Sequence, residues 1–257
     1  MSEALIRNPE PRNTEKAKLF HPCYPKTTMD PKPIILILLF VISGIFYYNL
    51  TDATPTQETF QVSRIIDGDT IDLSNNQRVR LKGINTPESS MPYYQEAKQS
   101  LLNLIQNKSV QLESYGTDKY GRILAHIFLN KQNINKEILQ QGLGTLYYYE
   151  HDIHYEELKQ AEEFARLNQK ALWKKSPNEN CLELIELKID EPERLTLQNK
   201  CDKILNITFK DDATHIYKET IQPNSIFTKK FSHIWNTDGD SIYISDTEGL
   251  LIFHRYN

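Results

Sequence analysis

Residues 78–88 read RVRLKGINTPE, a short alternating run that leads into a loop fixed by Pro87. Side chains of a strand alternate between its two faces, so Arg80 shares a face with Lys82 and lies opposite Leu81. Proline restricts the backbone where the strand gives way to the loop. The stretch therefore predicts a strand that carries a cation towards a polar loop ending at Glu88.

Short β-type runs flank this stretch on both sides. FQVSRII and TIDL precede it, SVQLESY and GRILAHIFL follow it, and an Asn75-Asn76 pair indicates a hairpin turn. Helical patterns cover 93–106, a short segment from Asn133 to Gly142, and 154–173. Five strands with helices alongside predict a small Greek-key barrel.

The chain is long enough for two modest domains, and its charge gives no global signature of nucleic-acid binding. It has 257 residues and a formal net charge of -4. Proteins that bind nucleic acid tightly through many phosphate contacts are usually basic, so this class is disfavoured. An enzyme that turns its substrate over needs only a few local cations, so this class remains open.

An apolar segment at 34–50 predicts a transmembrane helix, because about 17 uncharged residues reach the lower limit for crossing a bilayer. Cations precede it, and the first one after it is Arg64, so the positive-inside rule places the N-terminus in the cytoplasm. We therefore expect a cytoplasmic tail at 1–33, a signal anchor at 34–50 and a linker at 51–58. The rest would lie in the periplasm or at the cell surface. A cleaved signal peptide, which would give a secreted protein, and a start at Met29 instead of Met1 both remain open.

A second domain is predicted at 181–257, after a polar boundary at 176–180. It contains seven short β-type runs at a spacing of about ten residues, which is typical of a β-sandwich. Cys181 and Cys201 both fall in this part. An exported domain permits a disulfide between them, whereas two separate thiols are an equally open alternative.

Three polar clusters in the first domain carry the parts needed to cleave a phosphodiester. They are residues 67–70 (DGDT), 80–88 and 117–122 (TDKYGR), and each alone could be a solvated turn. Together they supply oxygen ligands suited to calcium, a carboxylate that can activate water, and two guanidiniums that can stabilise phosphate charge. The candidate calcium ligands are Asp69, Asn85 and the Thr86 carbonyl, the base is Glu88, and the cations are Arg80 and Arg122.

These motifs resemble the thermonuclease (staphylococcal nuclease) family over about Thr59 to Lys174, with IDGDT, RLKGINTPE, TDKYGR and QGL in the family's order, followed by Trp173. The nuclease domain is therefore predicted at 59–176. The resemblance implies a mostly β fold with α-helices, an OB-type five-stranded barrel with three helices. It also implies calcium-dependent cleavage of DNA and RNA. Matching the motifs residue by residue gives Arg80 and Arg122 as phosphate-binding arginines, Glu88 as general base, and Asp69, Asn85 and Thr86 as calcium ligands. Asp67 lies beside these ligands, and the residues that would hold a terminal phosphate or stack on a base are Lys119, Tyr120 and Tyr148.

Two positions depart from the family pattern. Asn85 replaces the usual aspartate, so one calcium ligand lacks its charge and a raised calcium requirement is expected. Glu150 stands where a second tyrosine often lies. The alternative function is a catalytically weak or silent OB-fold module that binds nucleic acid or serves as a surface scaffold.

The run IWNTDGDSIYISD at 234–246, followed by Gly249 and Tyr256, resembles the lamin-tail family. The resemblance implies an immunoglobulin-like β-sandwich that binds or positions a surface or protein target of unknown identity. Its residues 238–240 (DGD) are interpreted as a hairpin turn, with a calcium loop as the alternative.

Overall fold

The computed structural model describes residues 58–147, 152–213 and 215–256. The predicted tail, the transmembrane segment, nearly all of the linker, and Tyr148 and Glu150 lie outside these ranges. Within them, no helix is both long and apolar enough to span a membrane.

Five strands close the first domain into a barrel, as predicted. They run in the order β3-β2-β1-β5-β6, and a parallel pairing of β3 with β6 closes the ring. Their buried faces carry Val62, Leu81 and Ile127, each fully enclosed. The bounds are β1 Thr59–Ile65, β2 Thr70–Leu73, β3 Arg78–Leu81, β5 Ser109–Thr117 and β6 Ile123–Leu129. Three two-residue strands accompany them, β4 Ile84–Asn85, β7 Gln132–Asn133 and β8 Thr145–Leu146.

Three α-helices pack against this barrel, namely α1 Tyr94–Ile105, α2 Ile134–Gln140 and α3 Tyr155–Leu167. The first two agree with the sequence prediction to within two residues at each end. The prediction of one helix over 154–173 is wrong in its last six residues. The backbone takes positive φ angles at Gln169 and Ala171, which interrupt the helix, and a separate 3-10 turn follows at Ala171–Trp173.

Residues 182–256 form two sheets that share one apolar core, and we call this unit the C-terminal sandwich. The sheet orders are β13-β10-β9 and β12-β11-β14-β15. Leu195 and Leu197 from one sheet meet Phe209 and Ile242 from the other, which confirms the predicted packing of short strands. The bounds are β9 Leu182–Lys188, β10 Glu193–Asn199, β11 Leu205–Lys210, β12 Ile216–Ile221, β13 Ile226–Phe231, β14 Asp240–Ser245 and β15 Leu250–Tyr256.

The interpretation of residues 238–240 as a hairpin turn is wrong. Asp238 and Gly239 lie between β13 and β14 and Asp240 begins β14, and because these strands belong to different sheets, the segment crosses from one sheet to the other. The Asp240 carboxylate accepts hydrogen bonds from the backbone N–H groups of Asp212, Ser241 and Asn236 at 2.7–3.2 Å. It therefore fixes this crossing. The lamin-tail resemblance stays a prediction.

A small apolar cluster joins the sandwich to the barrel domain. Trp173, in the 3-10 turn after α3, lies 5.1 Å from Phe253 and 5.9 Å from Tyr243 between ring centroids. Ala165 of α3 is buried in the same cluster. Backbone hydrogen bonds between Lys174 and Leu250 (2.8 Å) and between Ser176 and Leu250 (2.9 Å) continue the contact. The two domains thus share a packed interface.

A disulfide joins Cys181 and Cys201, which decides between the two alternatives left open by the sequence. Replacing both cysteines with serine should lower the free energy of unfolding by about 3 kcal/mol, because a cross-link over 20 residues restricts the unfolded chain. Urea unfolding measures the loss. Dithiothreitol should destabilise the wild type by a similar amount and leave the double variant unchanged. Equal stability of the wild type before and after reduction would contradict the prediction.

Candidate active site

The turn between β1 and β2 brings the Asp69 carboxylate against the loop that follows β4. Its Oδ2 accepts hydrogen bonds from the Thr86 backbone N–H at 2.8 Å and from the Thr86 hydroxyl at 2.9 Å. The approach depends on Gly68, where an added Cβ would come within 2.7 Å of both Ala97 and Thr86. The glycine in the DGDT motif therefore lets the turn, the loop and helix α1 meet.

Arg80 lies at the centre of this cluster. Its Nε is 3.3 Å from Asp69 Oδ1, its Nη1 donates to the Leu81 carbonyl at 2.6 Å, and its Nη2 donates to Asn85 Oδ1. Three separate contacts hold the guanidinium, and its side chain is 11% exposed. The structure thus brings together four of the predicted site residues, Asp69, Arg80, Asn85 and Thr86.

Asp67 completes an acidic pair with Asp69. Its Oδ1 accepts the Asp69 backbone N–H at 3.1 Å. Burial and then the neighbouring Asp69 charge raise the pKa of Asp67 above its ordinary value. The pair therefore has an excess of negative charge that a divalent cation would relieve.

These residues fit calcium by the chemistry of their donors, since carboxylate, amide and carbonyl oxygens are its preferred ligands. Asp69, Asn85 and Thr86 would hold the ion, with Asp67 beside them. Within the described ranges, this site included, no group of three or more histidine, cysteine or acidic side chains is arranged to bind a metal, so the candidate set depends on the Asn85 amide and the Thr86 carbonyl beside the two aspartates.

Glu88 lies exposed at the rim of a cavity of about 440 Å³. The barrel domain contributes the loop from Asn85 to Glu88 and the start of α1, and the sandwich contributes residues of β11, β14 and the loop after β14. This volume lies within the range of small-molecule sites. A carboxylate at such a mouth is open to solvent water and can accept a proton from it.

Arg122 lies in a different place from Glu88. Its Nε donates to Asp118 Oδ2 at 2.7 Å, and its guanidinium is 5.4 Å from the Tyr120 ring centroid. Burial opposes ionisation of Asp118, but hydrogen bonds from Arg122 and Tyr120 outweigh it and lower the pKa of Asp118. Arg122 lines a depression with Arg78 and Tyr120, separate from the cavity beside Glu88. Hence the described contacts do not join Arg122 to Arg80 or Glu88.

The neighbouring loop residues are available to a substrate. Tyr120 is 71% exposed, and Lys119 Nζ lies 5.2 Å from its ring centroid. An exposed aromatic ring beside a lysine suits a stacked base or a terminal phosphate. Their role in substrate binding stays a prediction.

Sequence reasoning missed two residues near the site. Lys82 does not continue the alternation of β3, because the strand ends at Leu81 and a turn with Gly83 at φ +80° follows. The lysine is instead buried, with its Nζ 3.0 Å from Asp152. The other is Asp212, whose backbone carbonyl accepts a hydrogen bond from Asn85 Nδ2 across 127 positions of sequence. No local pattern could have indicated that contact.

Comparison with known proteins identifies the family to which the barrel domain is similar. Residues 78–175 match the family described as staphylococcal nuclease homologue. An uncharacterized endonuclease of Haemophilus influenzae is 35% identical over 56% of this chain and 80% of its own length. A thermonuclease of Staphylococcus hyicus is 30% identical over 54% of this chain and 90% of its own length. This chain belongs to the staphylococcal nuclease family.

Membership of the staphylococcal nuclease family makes the chain an endonuclease, a hydrolase that acts on phosphodiester bonds. A probable staphylococcal-like nuclease of Oryza sativa subsp. japonica is also similar, 37% identical over 39% of this chain and 30% of its own length. The predicted family and enzyme class are therefore confirmed. Since the family match ends at 175, it does not include the C-terminal sandwich.

Proposed function

We propose that this nuclease is an exported, membrane-anchored, calcium-dependent enzyme that hydrolyses both DNA and RNA. The observation that carries the proposal is the cluster of Asp69, Arg80, Asn85 and Thr86, with Glu88 at the mouth of the adjoining cavity. Acidic oxygen ligands, a guanidinium and an accessible carboxylate are the groups that phosphodiester hydrolysis needs. A calcium ion held there would polarise the phosphate and offset its charge.

In this mechanism, Glu88 accepts a proton from the attacking water. Arg80 binds the scissile phosphate and stabilises the charge that accumulates as the water oxygen adds to phosphorus. The ester bond from phosphorus to the leaving sugar oxygen then breaks, and that oxygen takes up a proton from solvent water. The family resemblance assigns Arg122 to the same phosphate, although in the structure Arg122 pairs with Asp118 in a separate depression just before β6. Lys119 and Tyr120 would hold the adjoining nucleotide. Recognition through phosphate and stacking, without reading base edges, suits both DNA and RNA.

Export is supported by two features. The apolar run at 34–50 suits a signal anchor, and the Cys181–Cys201 disulfide is typical of proteins that fold in an oxidising compartment. Membrane attachment would keep the nuclease domain at the cell surface or in the periplasm.

The direct test is cleavage of DNA and RNA by the full chain. Two end-labelled oligonucleotides of the same sequence, one DNA and one RNA, are incubated with the protein in calcium. We expect internal cuts in both. Loss of single nucleotides from the ends alone, or no cleavage of either strand, would contradict the proposal.

The calcium requirement should depend on the missing charge at position 85. We expect Asn85→Asp to lower the calcium concentration for half-maximal cleavage by about tenfold, because a carboxylate adds charge to the ligand set, and to lower the maximal rate, because an ionised carboxylate cannot donate to the Asp212 carbonyl. A calcium titration of the initial rate measures this. Asn75→Asp makes the same substitution in the exposed turn between β2 and β3 and should leave the midpoint unchanged. An unchanged midpoint in Asn85→Asp would argue against residue 85 as a ligand.

A further inference from the structure

The C-terminal sandwich contacts the candidate active site through the side chain of Asn85. The Asn85 Nδ2 donates to the backbone carbonyl of Asp212, and its Oδ1 accepts from Arg80 Nη2. An amide can donate and accept at the same time, whereas an ionised carboxylate can only accept. An aspartate here would place an oxygen against the Asp212 carbonyl. The departure from the family pattern at this position is therefore explained by the contact with the sandwich.

The sandwich holds Asp212 firmly. The Asp212 backbone N–H donates to Asp240 Oδ1 at 3.0 Å, and its carboxylate accepts from the Tyr243 hydroxyl at 2.6 Å and from Ser241 Oγ at 3.1 Å. Asp212 is 8% exposed. Its carbonyl is thus a fixed point against which Asn85 is oriented.

A second set of contacts joins the sandwich to the barrel close to β4, the strand that contains Asn85. Arg255 of β15 pairs with Glu162 of α3 at 2.5 Å, and both side chains are largely buried. The other carboxylate oxygen of Glu162 accepts the Leu146 backbone N–H at 2.7 Å. Leu146 belongs to β8, which pairs with the strand that contains Asn85. Arg255 also donates to the Tyr243 hydroxyl at 3.1 Å, so the contacts form a closed circuit.

We propose that the C-terminal sandwich positions the Arg80 guanidinium through Asn85. The remaining contacts of Arg80, to Asp69 and the Leu81 carbonyl, come from the barrel alone. Asn85 supplies the third contact, and the sandwich fixes Asn85. Arg255 and Tyr243 are then positioning residues that act on phosphate binding at a distance. The inference rests on the proposed function in taking Arg80 as a phosphate-binding group.

A double-mutant cycle in the full chain tests this coupling. Arg255→Met is made with Arg80 intact and in an Arg80→Ala background. The control is Arg194→Met, which removes a solvent-exposed pair with Glu186 elsewhere on the sandwich. We expect Arg255→Met to lower kcat about tenfold when Arg80 is present and less than about twofold when it is absent, because misplacing a phosphate ligand costs at least this much. Arg194→Met should change kcat less than about twofold. Equal losses in the two backgrounds, or no loss in either, would overturn the proposal.

A binding measurement separates this inference from the proposed function. The affinity for a short single-stranded DNA in EGTA should fall several-fold in Arg255→Met only when Arg80 is present. If the wild type binds but does not cleave, the proposed function fails, and the binding cycle still decides the coupling. Fluorescence of Trp173 in a Trp235→Phe background checks that the interface is folded. Tyr243→Phe, which removes only one hydroxyl, provides a milder second variant and should show the same dependence on Arg80. If both variants lost the same affinity for DNA with and without Arg80, the proposed coupling would be overturned.

Discussion

Glu88→Gln should reduce kcat for phosphodiester cleavage by about two to four orders of magnitude. Removing a general base typically has an effect of this size, because the water must then lose its proton without help. The substitution keeps the size and shape of the side chain and removes only its basicity. Glu88 is exposed and outside the network around Arg80, so its replacement should leave the fold and the substrate KM nearly unchanged.

A matched control lies in the same cavity. Glu96, in the first turn of α1, is also exposed and lines the cavity beside Glu88. Glu96→Gln removes the same charge from the same cavity and should change kcat less than about threefold, since a general electrostatic effect on an exposed site is small. Equal losses in the two variants would indicate that the charge of the cavity matters rather than proton transfer at Glu88.

Asp152→Asn should lower the free energy of unfolding by about 3–5 kcal/mol at neutral pH, because it removes the buried carboxylate that pairs with the Lys82 ammonium. Asp152 lies 3.0 Å from Lys82 Nζ and 2.9 Å from His126 Nε2. The side chains of all three are at most 4% exposed. Denaturant unfolding measures the loss. Asp190→Asn, at an exposed position, is the control and should have little effect.

The contacts of Asp152 with Lys82 and His126 also make the free energy of unfolding depend on pH in a defined direction. Burial alone would raise the pKa of Asp152, but hydrogen bonds from His126 and Lys82 outweigh it and hold the pKa well below its usual value. A carboxyl with a lowered folded-state pKa stabilises the protein at pH values above its unfolded-state pKa, and the stabilisation disappears as acid protonates the folded state. The difference between wild type and Asp152→Asn should be constant above about pH 4 and shrink below it. A difference that grows on acidification would contradict this assignment.

Local patterns in the sequence were enough to predict most of the fold. The alternating runs of the barrel and the sandwich, the Asn75-Asn76 turn and the helix ending near Gly142 all depend on neighbouring residues, and each was found where expected. The prediction for the end of the third helix failed because two residues with positive φ angles interrupt the helix, and no proline or glycine in the sequence indicates them.

Contacts between distant residues were beyond the reach of these patterns. The association of Asp69 with Thr86 was predicted from their oxygen ligands, which suit calcium, and from the family resemblance. The hydrogen bond of Asn85 to Asp212 was not predicted, because it joins two domains. Residue 85 appeared from the sequence only as a weakened calcium ligand. In the structure, its amide group also bridges Arg80 and the sandwich. Burial of Lys82 similarly required knowledge of Asp152, 70 positions further along the chain.

Calcium-dependent hydrolysis at the Glu88 site is tested by measuring the initial rate at which one labelled DNA oligonucleotide is cleaved as the calcium concentration is varied. The full-length wild type and Glu88→Gln are measured in parallel. We expect a wild-type rate that saturates with calcium, falls to background in EGTA and, at saturating calcium, exceeds that of Glu88→Gln by at least about a hundredfold. A rate that persists in EGTA, or that is the same in the two proteins, would contradict it.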